Sequence, residues 1–133
     1  MSTQRFFVCI FISLFLLSSC NKKKIEKAED AWRLVRVSKI QEVTHHEEWD
    51  FTDGIITMIE FPKDSMISYP DTLGTGSYVF DPAFTKLYVD VDGITQGRER
   101  YNGKWRILKV NQDILILFKK DDVAWLYREF VRI

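Results

Sequence analysis

From Ala31 onward, apolar and polar residues alternate in short runs, and the breaks between runs carry turn chemistry: Asp53-Gly54, Asp92-Gly93, Asn102-Gly103, Asn111-Gln112-Asp113 and Asp121-Asp122. The pattern predicts strands at Ala31–Ser38, Glu47–Thr52, Ile55–Phe61, Thr75–Phe80, Thr85–Val91, Tyr101–Val110, Asp113–Lys119 and Val123–Arg132, with a weaker one at Ser65–Tyr69. No stretch keeps a helical period for three turns. Pro62, Pro70 and Pro82 are placed in the gaps, where no ladder needs their missing N–H, and Thr72-Leu73-Gly74-Thr75-Gly76 reads as a turn before a strand. Connections this short make neighbouring strands antiparallel. Many short strands at regular spacing give an all-β fold, and an eight-stranded up-and-down barrel is the form that leaves no exposed edge.

Taking one face of each alternation as inward gives Trp32 and Leu34; Trp49 and Phe51; Ile55, Thr57 and Ile59; Tyr78 and Phe80; Leu87, Val89 and Val91; Trp105 and Ile107; Ile114, Ile116 and Phe118; Trp125 and Tyr127. The aromatic members, Trp32, Trp49, Phe51, Tyr78, Phe80, Trp105, Phe118, Trp125 and Tyr127, are the candidates for core or for lining a ligand cavity. An eight-stranded barrel is just wide enough to be filled by side chains or to hold one small ligand. With side chains this large and hairpins this short, the expected cavity is small or absent.

The first residues follow a different pattern. Arg5 precedes an apolar run, Phe6 to Leu17, interrupted only by Ser13 and closed by Leu17-Ser18-Ser19-Cys20. The run is too short for the ~20 residues of a membrane-spanning helix and has the shape of a signal peptide. A leucine, two small residues and a cysteine form the processing signal of a bacterial lipoprotein, so cleavage between Ser19 and Cys20 leaves Cys20 as the lipid-carrying first residue. Two or three acyl chains such as palmitate make a lasting membrane anchor where one holds marginally. The expected organisation is a signal peptide at 1–19, a lipidated cysteine with a polar tether at 20–30, and a barrel domain at 31–133.

Cysteine usage and charge narrow the picture. Of the two cysteines, Cys9 leaves with the signal, so the mature chain has no partner for Cys20 and no internal disulfide. Its core must hold it together. Lys and Arg number 19 against 19 Asp and Glu over the 133 residues, which gives no global attraction to nucleic acid. The local exception is Lys22-Lys23-Lys24 in the tether, where each basic residue contributes ~1 kcal/mol near an anionic membrane surface. An Asp directly after the lipidated cysteine holds lipoproteins of enteric bacteria in the inner membrane. Asn21 stands there instead, which points to the outer membrane, and the basic rather than acidic run behind it points to the periplasmic face.

Catalytic equipment is not visible. His45-His46-Glu47-Glu48, with Asp50 close by, is the one cluster of metal-ligand types, but an extended chain sends His45 and Glu47 to one face and His46 and Glu48 to the other, so it reads as a solvated strand entrance and no metal is expected. No Gly-x-Ser-x-Gly, His-Glu-x-x-His or phosphate-cradling glycine loop occurs, and no cofactor is expected. Glu47-Glu48 and Asp121-Asp122 are ordinary strand-end carboxylates. In Lys104-Trp105-Arg106 the tryptophan reads as core between surface cations.

The lipoprotein signal, the polar tether, Asp30-Ala31-Trp32-Arg33-Leu34, the Trp49-Asp50-Phe51-Thr52-Asp53-Gly54 hairpin and Tyr101-Asn102-Gly103-Lys104-Trp105-Arg106-Ile107 together resemble the small lipocalin-like lipoproteins of Bacteroidetes. Lipocalins open with Gly-x-Trp, and here Asp30 stands at the glycine position. The resemblance implies an eight-stranded calyx closed at the Trp32 end, with a late basic residue, Arg128 or Arg132, against that tryptophan, and open to a lipophilic ligand at the other end. Two functions follow as expectations. One is a membrane-anchored barrel that binds a small hydrophobic molecule or lipid; the alternative is a non-enzymatic envelope protein that inhibits an exported enzyme or serves a larger complex. An enzyme would need convergent polar groups that the sequence does not supply.

Overall fold

The computed structural model of the chain describes residues 19–38, 42–43, 46–61, 71–95 and 97–133. They form a closed, antiparallel, up-and-down barrel of eight strands: β1 (Ala31–Arg36), β2 (His46–Thr52), β3 (Ile55–Phe61), β4 (Asp71–Ala83), β5 (Lys86–Asp92), β6 (Gly103–Val110), β7 (Ile114–Lys120) and β8 (Trp125–Arg132). Each strand pairs with its sequence neighbours, and β1 closes the barrel on β8 through Trp32–Arg132 and Leu34–Phe130. The expected Ser65–Tyr69 strand lies outside the described residues.

Turn chemistry sets the register. Asp53 and Gly54 both adopt positive φ, 52° and 78°, which matches the twist of the β2–β3 hairpin. Asn111 Oδ1 accepts from the amides of Asp113 and Ile114 at 2.8 and 2.7 Å and so turns β6 into β7.

β4 is longer than its pattern indicates and corrects two readings. Thr72 to Gly76 is strand, paired with β3, rather than a turn. A Cβ on Gly76 would stand 2.3 Å from the Asp92 carbonyl oxygen, so the glycine serves close backbone approach within the sheet. Pro82 also lies inside β4, opposite Leu87. The two-residue turn makes Ala83–Lys86 the hydrogen-bonded closing pair, which leaves Pro82 at a non-bonded position facing the side where β3 pairing has already ended.

The barrel has two unlike ends. At the lower end lie the short turns 53–54, 84–85 and 111–113, together with the chain's C-terminus; the opposite strand ends, the 3-10 turn Glu99–Tyr101 and the turn 121–124 form the upper end. Residues 19–28 are helical, so the expected tether is an ordered element that packs on the lower end through buried Ala28. The core is one cluster inside the barrel, built on Trp32, Trp49, Phe51, Trp105 and Phe130 with Ile56, Met58, Leu115 and Leu117.

Three strands face the opposite way from the expected phase. On β3 the buried residues are Ile56 and Met58 rather than Ile55, Thr57 and Ile59; on β7, Leu115 and Leu117 rather than Ile114, Ile116 and Phe118; on β8, Leu126 and Phe130 rather than Trp125 and Tyr127. Trp125 is 70% exposed and meets Phe118 edge-on at 5.4 Å on the outside of the barrel. Each of these runs is apolar on both faces, so alternation alone carries no sign, and the larger aromatic is not the inner one.

Candidate functional site

The lower end is sealed by a single constellation. Trp32 Nε1 donates to the Ala28 carbonyl at 3.0 Å, tying β1 to the last turn of the helix. The Arg132 guanidinium lies over the Trp32 ring, 4.3 Å from its centroid, and Nη2 donates to the carbonyls of Lys27 at 2.8 Å and Asn111 at 3.3 Å. Arg132 also pairs with Asp30 and reaches the Gln112 carbonyl. Of the two basic residues considered for a place against the first tryptophan, the structure puts Arg132 there. Asp30 uses its side chain twice, on Arg132 and on the Ala31 amide at 2.8 Å, and its carbonyl accepts from the Phe51 amide at 3.0 Å. The Tyr78 hydroxyl donates to Glu29 at 3.3 Å, and burial pushes the phenol up to about 12.

Directly above the helix the interior is filled. The space bounded by Ala28, Phe51, Phe80, Val89, Ile107, Leu115 and Leu117 has no room for a water molecule. Higher up the composition changes. Trp49 meets Tyr101, Trp105 and Phe130 at centroid distances of 5.4, 5.6 and 5.0 Å, and two polar side chains enter this aromatic group. Glu47, 3% exposed, accepts from Trp49 Nε1 at 2.6 Å. Arg128, on the inward face of β8 between Leu126 and Phe130, lies over the Tyr101 ring at 5.7 Å. Its Nη1 donates to the Tyr127 carbonyl at 2.8 Å, while its Nε is buried with no hydrogen-bond partner.

The sequence-derived candidates divide accordingly. Trp32, Trp49, Phe51, Tyr78 and Trp105 are buried in the barrel, and Phe80 packs against them. Phe118, Trp125 and Tyr127 stand on the other face. The exposed Cys20 lies in the helical stretch described over 19–28. Glu47 is the interior polar group that alternation in β2 could have flagged, since it shares a face with Trp49, whereas Arg128 shares a face with Phe130 on β8, where alternation carries no sign. In the histidine cluster, Glu47 turns inward, Glu48 pairs with Arg33 at 2.9 Å, His46 is exposed, and His45 lies outside the described residues. Among the described residues no three acidic, histidine or cysteine side chains gather as a metal site.

The upper end is held by loop-to-loop contacts. Arg100 Nε donates to Asp121 at 2.7 Å, and Asp121 Oδ1 accepts from the amides of Val123 and Ala124 at 2.9 and 2.6 Å, so Arg100 and the turn hold its carboxyl well below the usual carboxylate range. Lys119 Nζ donates to the carbonyls of Arg100 and Asn102, and burial lowers its pKa. No family model matches the chain, and neither a curated protein nor a solved structure matches it.

Proposed function

We propose that this is a lipoprotein, anchored through acyl chains on Cys20 at the periplasmic face of the outer membrane, whose lipocalin-like barrel takes a small lipophilic acid at its upper end. The observation that carries the reading is Arg128, whose buried Nε has no partner beside the aromatic group of Tyr101, Trp49 and Trp105 that Glu47 also enters. An unmade bond at such a group costs ~1–3 kcal/mol, and an anionic headgroup supplied by a ligand would recover it. Half-buried Tyr101 offers apolar surface beside it, backed by the fully buried Trp49 and Trp105. The filled lower half supports a short ligand seated high in the barrel rather than one running its length.

The test compares a fluorescent fatty acid with its methyl ester, using the chain carrying Cys20→Ser and the same chain with Arg128→Met. The acid should bind about tenfold more weakly to the Arg128→Met protein, from loss of one charged pairing, while the ester is unaffected. Equal affinity of the acid for both proteins contradicts the reading. A second reading rests on the same filled interior: the barrel is all core, and its outside engages an envelope protein. Crosslinking in the native host that repeatedly captures one protein, with no ligand binding to either variant, selects that reading.

A further inference from the structure

At the lower end, β5 and β6 part company. They pair only from Tyr88–Arg106 to Val91–Gly103, so Lys86 and Leu87 separate from the Ile107–Val110 segment and leave a cleft of about 320 Å³. Lys24 of the helix closes the cleft on its third side, and with Lys86, Arg106 and Lys109 it supplies four cations where no carboxylate contributes to the lining. None of the four has an ion-pair partner among the described residues, whereas Arg33, Arg100, Lys104 and Arg132 all do.

The cleft has an apolar rim. Phe84, at the tip of the adjoining β4–β5 hairpin, is 87% exposed, and it holds a positive φ of 57° that a phenylalanine rarely adopts. Leu108, on the opposite wall, is also exposed. A lone exposed aromatic on a tight turn, flanked by cations that lack acidic partners, has the chemistry of a surface that meets lipid: the ring enters the interface and the cations meet phosphate.

We propose that the lower end of the barrel docks onto an anionic bilayer, with a phospholipid headgroup phosphate in the Lys24–Lys86–Arg106–Lys109 cleft and Phe84 inserted among the acyl chains. Placement agrees with this occupant. Lys24 stands one helical turn beyond Cys20, about 6 Å along the axis, so chains carried by that cysteine would bring this end of the barrel to the headgroups. Docking here turns the upper end away from the membrane, toward solvent. The proposal does not depend on what occupies the interior, and its test leaves the fatty-acid binding of Arg128 as a separate readout.

The experiment is flotation of the full chain carrying Cys20→Ser with vesicles of phosphatidylcholine alone or containing phosphatidylglycerol. Each vesicle type is compared with and without Lys86→Glu/Lys109→Glu, and separately with Phe84→Ser. All the proteins share residues 1–30, so any difference belongs to the barrel. The charge variant should lose the preference for phosphatidylglycerol vesicles by about tenfold or more while its binding to phosphatidylcholine is unchanged, and Phe84→Ser should weaken binding to both. Retained circular dichroism and a thermal unfolding midpoint equal to the parent's establish that each variant is folded. A preference for phosphatidylglycerol that survives the charge reversal in a folded protein overturns the proposal, as does Phe84→Ser binding equal to the parent.

Discussion

Replacing Arg132 by Ala removes the keystone of the sealed end, and its cost follows from its contacts. The guanidinium over Trp32 at 4.3 Å contributes ~1 kcal/mol as a cation–π contact at a partly buried site. The bonds to the Lys27 and Asn111 carbonyls, at 2.8 and 3.3 Å, join the helix and the β6–β7 turn to β8. Charged bonds of this kind contribute ~1 kcal/mol each once water is allowed to replace the lost donor, and the Asp30 pair, partly exposed, adds ~0.5 kcal/mol. The sum is ~3.5 kcal/mol, or on the order of 10–15 °C in Tm for a domain of this size. Arg132→Lys keeps the charge near Asp30 but loses the fork that reaches several carbonyls at once, so it should recover less than half of the loss. Thermal unfolding measures the total, and amide exchange over residues 19–28 locates it, since the helix should lose protection before the strands do. If Arg132→Ala melts within about 2 °C of the parent, or the helix amides keep their protection, the sealed-end reasoning is refuted.

Other consequences are equally direct. On β8, Leu126→Ala should cost ~2–4 kcal/mol whereas Trp125→Ser should cost ~1 kcal/mol at most; the reverse order in chemical denaturation would restore the opposite phase. Tyr78 has a folded pKa of about 12 against an ordinary 10.0, so its contribution is intact below pH 10 and is lost as pH rises through about 12. Tyr78→Phe should therefore flatten the alkaline arm of the stability profile, and an unchanged arm counts against the burial that holds the phenol neutral. Asp121 has a lowered pKa, so its contribution is present above the ordinary carboxylate value and is lost as pH falls below about 4. Asp121→Asn should remove part of the acid sensitivity of the β7–β8 turn, read by exchange at the Val123 and Ala124 amides.

Strand positions were legible where hairpins carry turn residues, as Asp53-Gly54 and Asn111 do, and because β1, β2, β5 and β6 have one apolar face and one polar face; the β4–β5 turn on Phe84-Thr85 carries no such signal, and the end of β4 was missed there. The phase of β3, β7 and β8 was not legible, because Ile55 to Ile59, Ile114 to Phe118 and Trp125 to Tyr127 are apolar on both. For the tether the sequence left open a mobile or partly helical spacer; the described residues 19–28 are helical, with Asn21, Ile25 and Ala28 at helical spacing along the covered face. Asp30 is held by pairing with Arg132, a contact between residues more than a hundred positions apart that no local pattern encodes. Glu47 reads as part of a solvated strand entrance, and Arg128 as a candidate partner of Trp32, until the closed barrel places both beside the aromatic group of Trp49 and Tyr101.

The most direct test of the central claim is native mass spectrometry of the Cys20→Ser chain purified from its own host, beside the same chain with Arg128→Met. A lipophilic acid that accompanies the first protein and is missing from the second is the predicted result. A ligand-free mass for both, or the same adduct retained without Arg128, contradicts it.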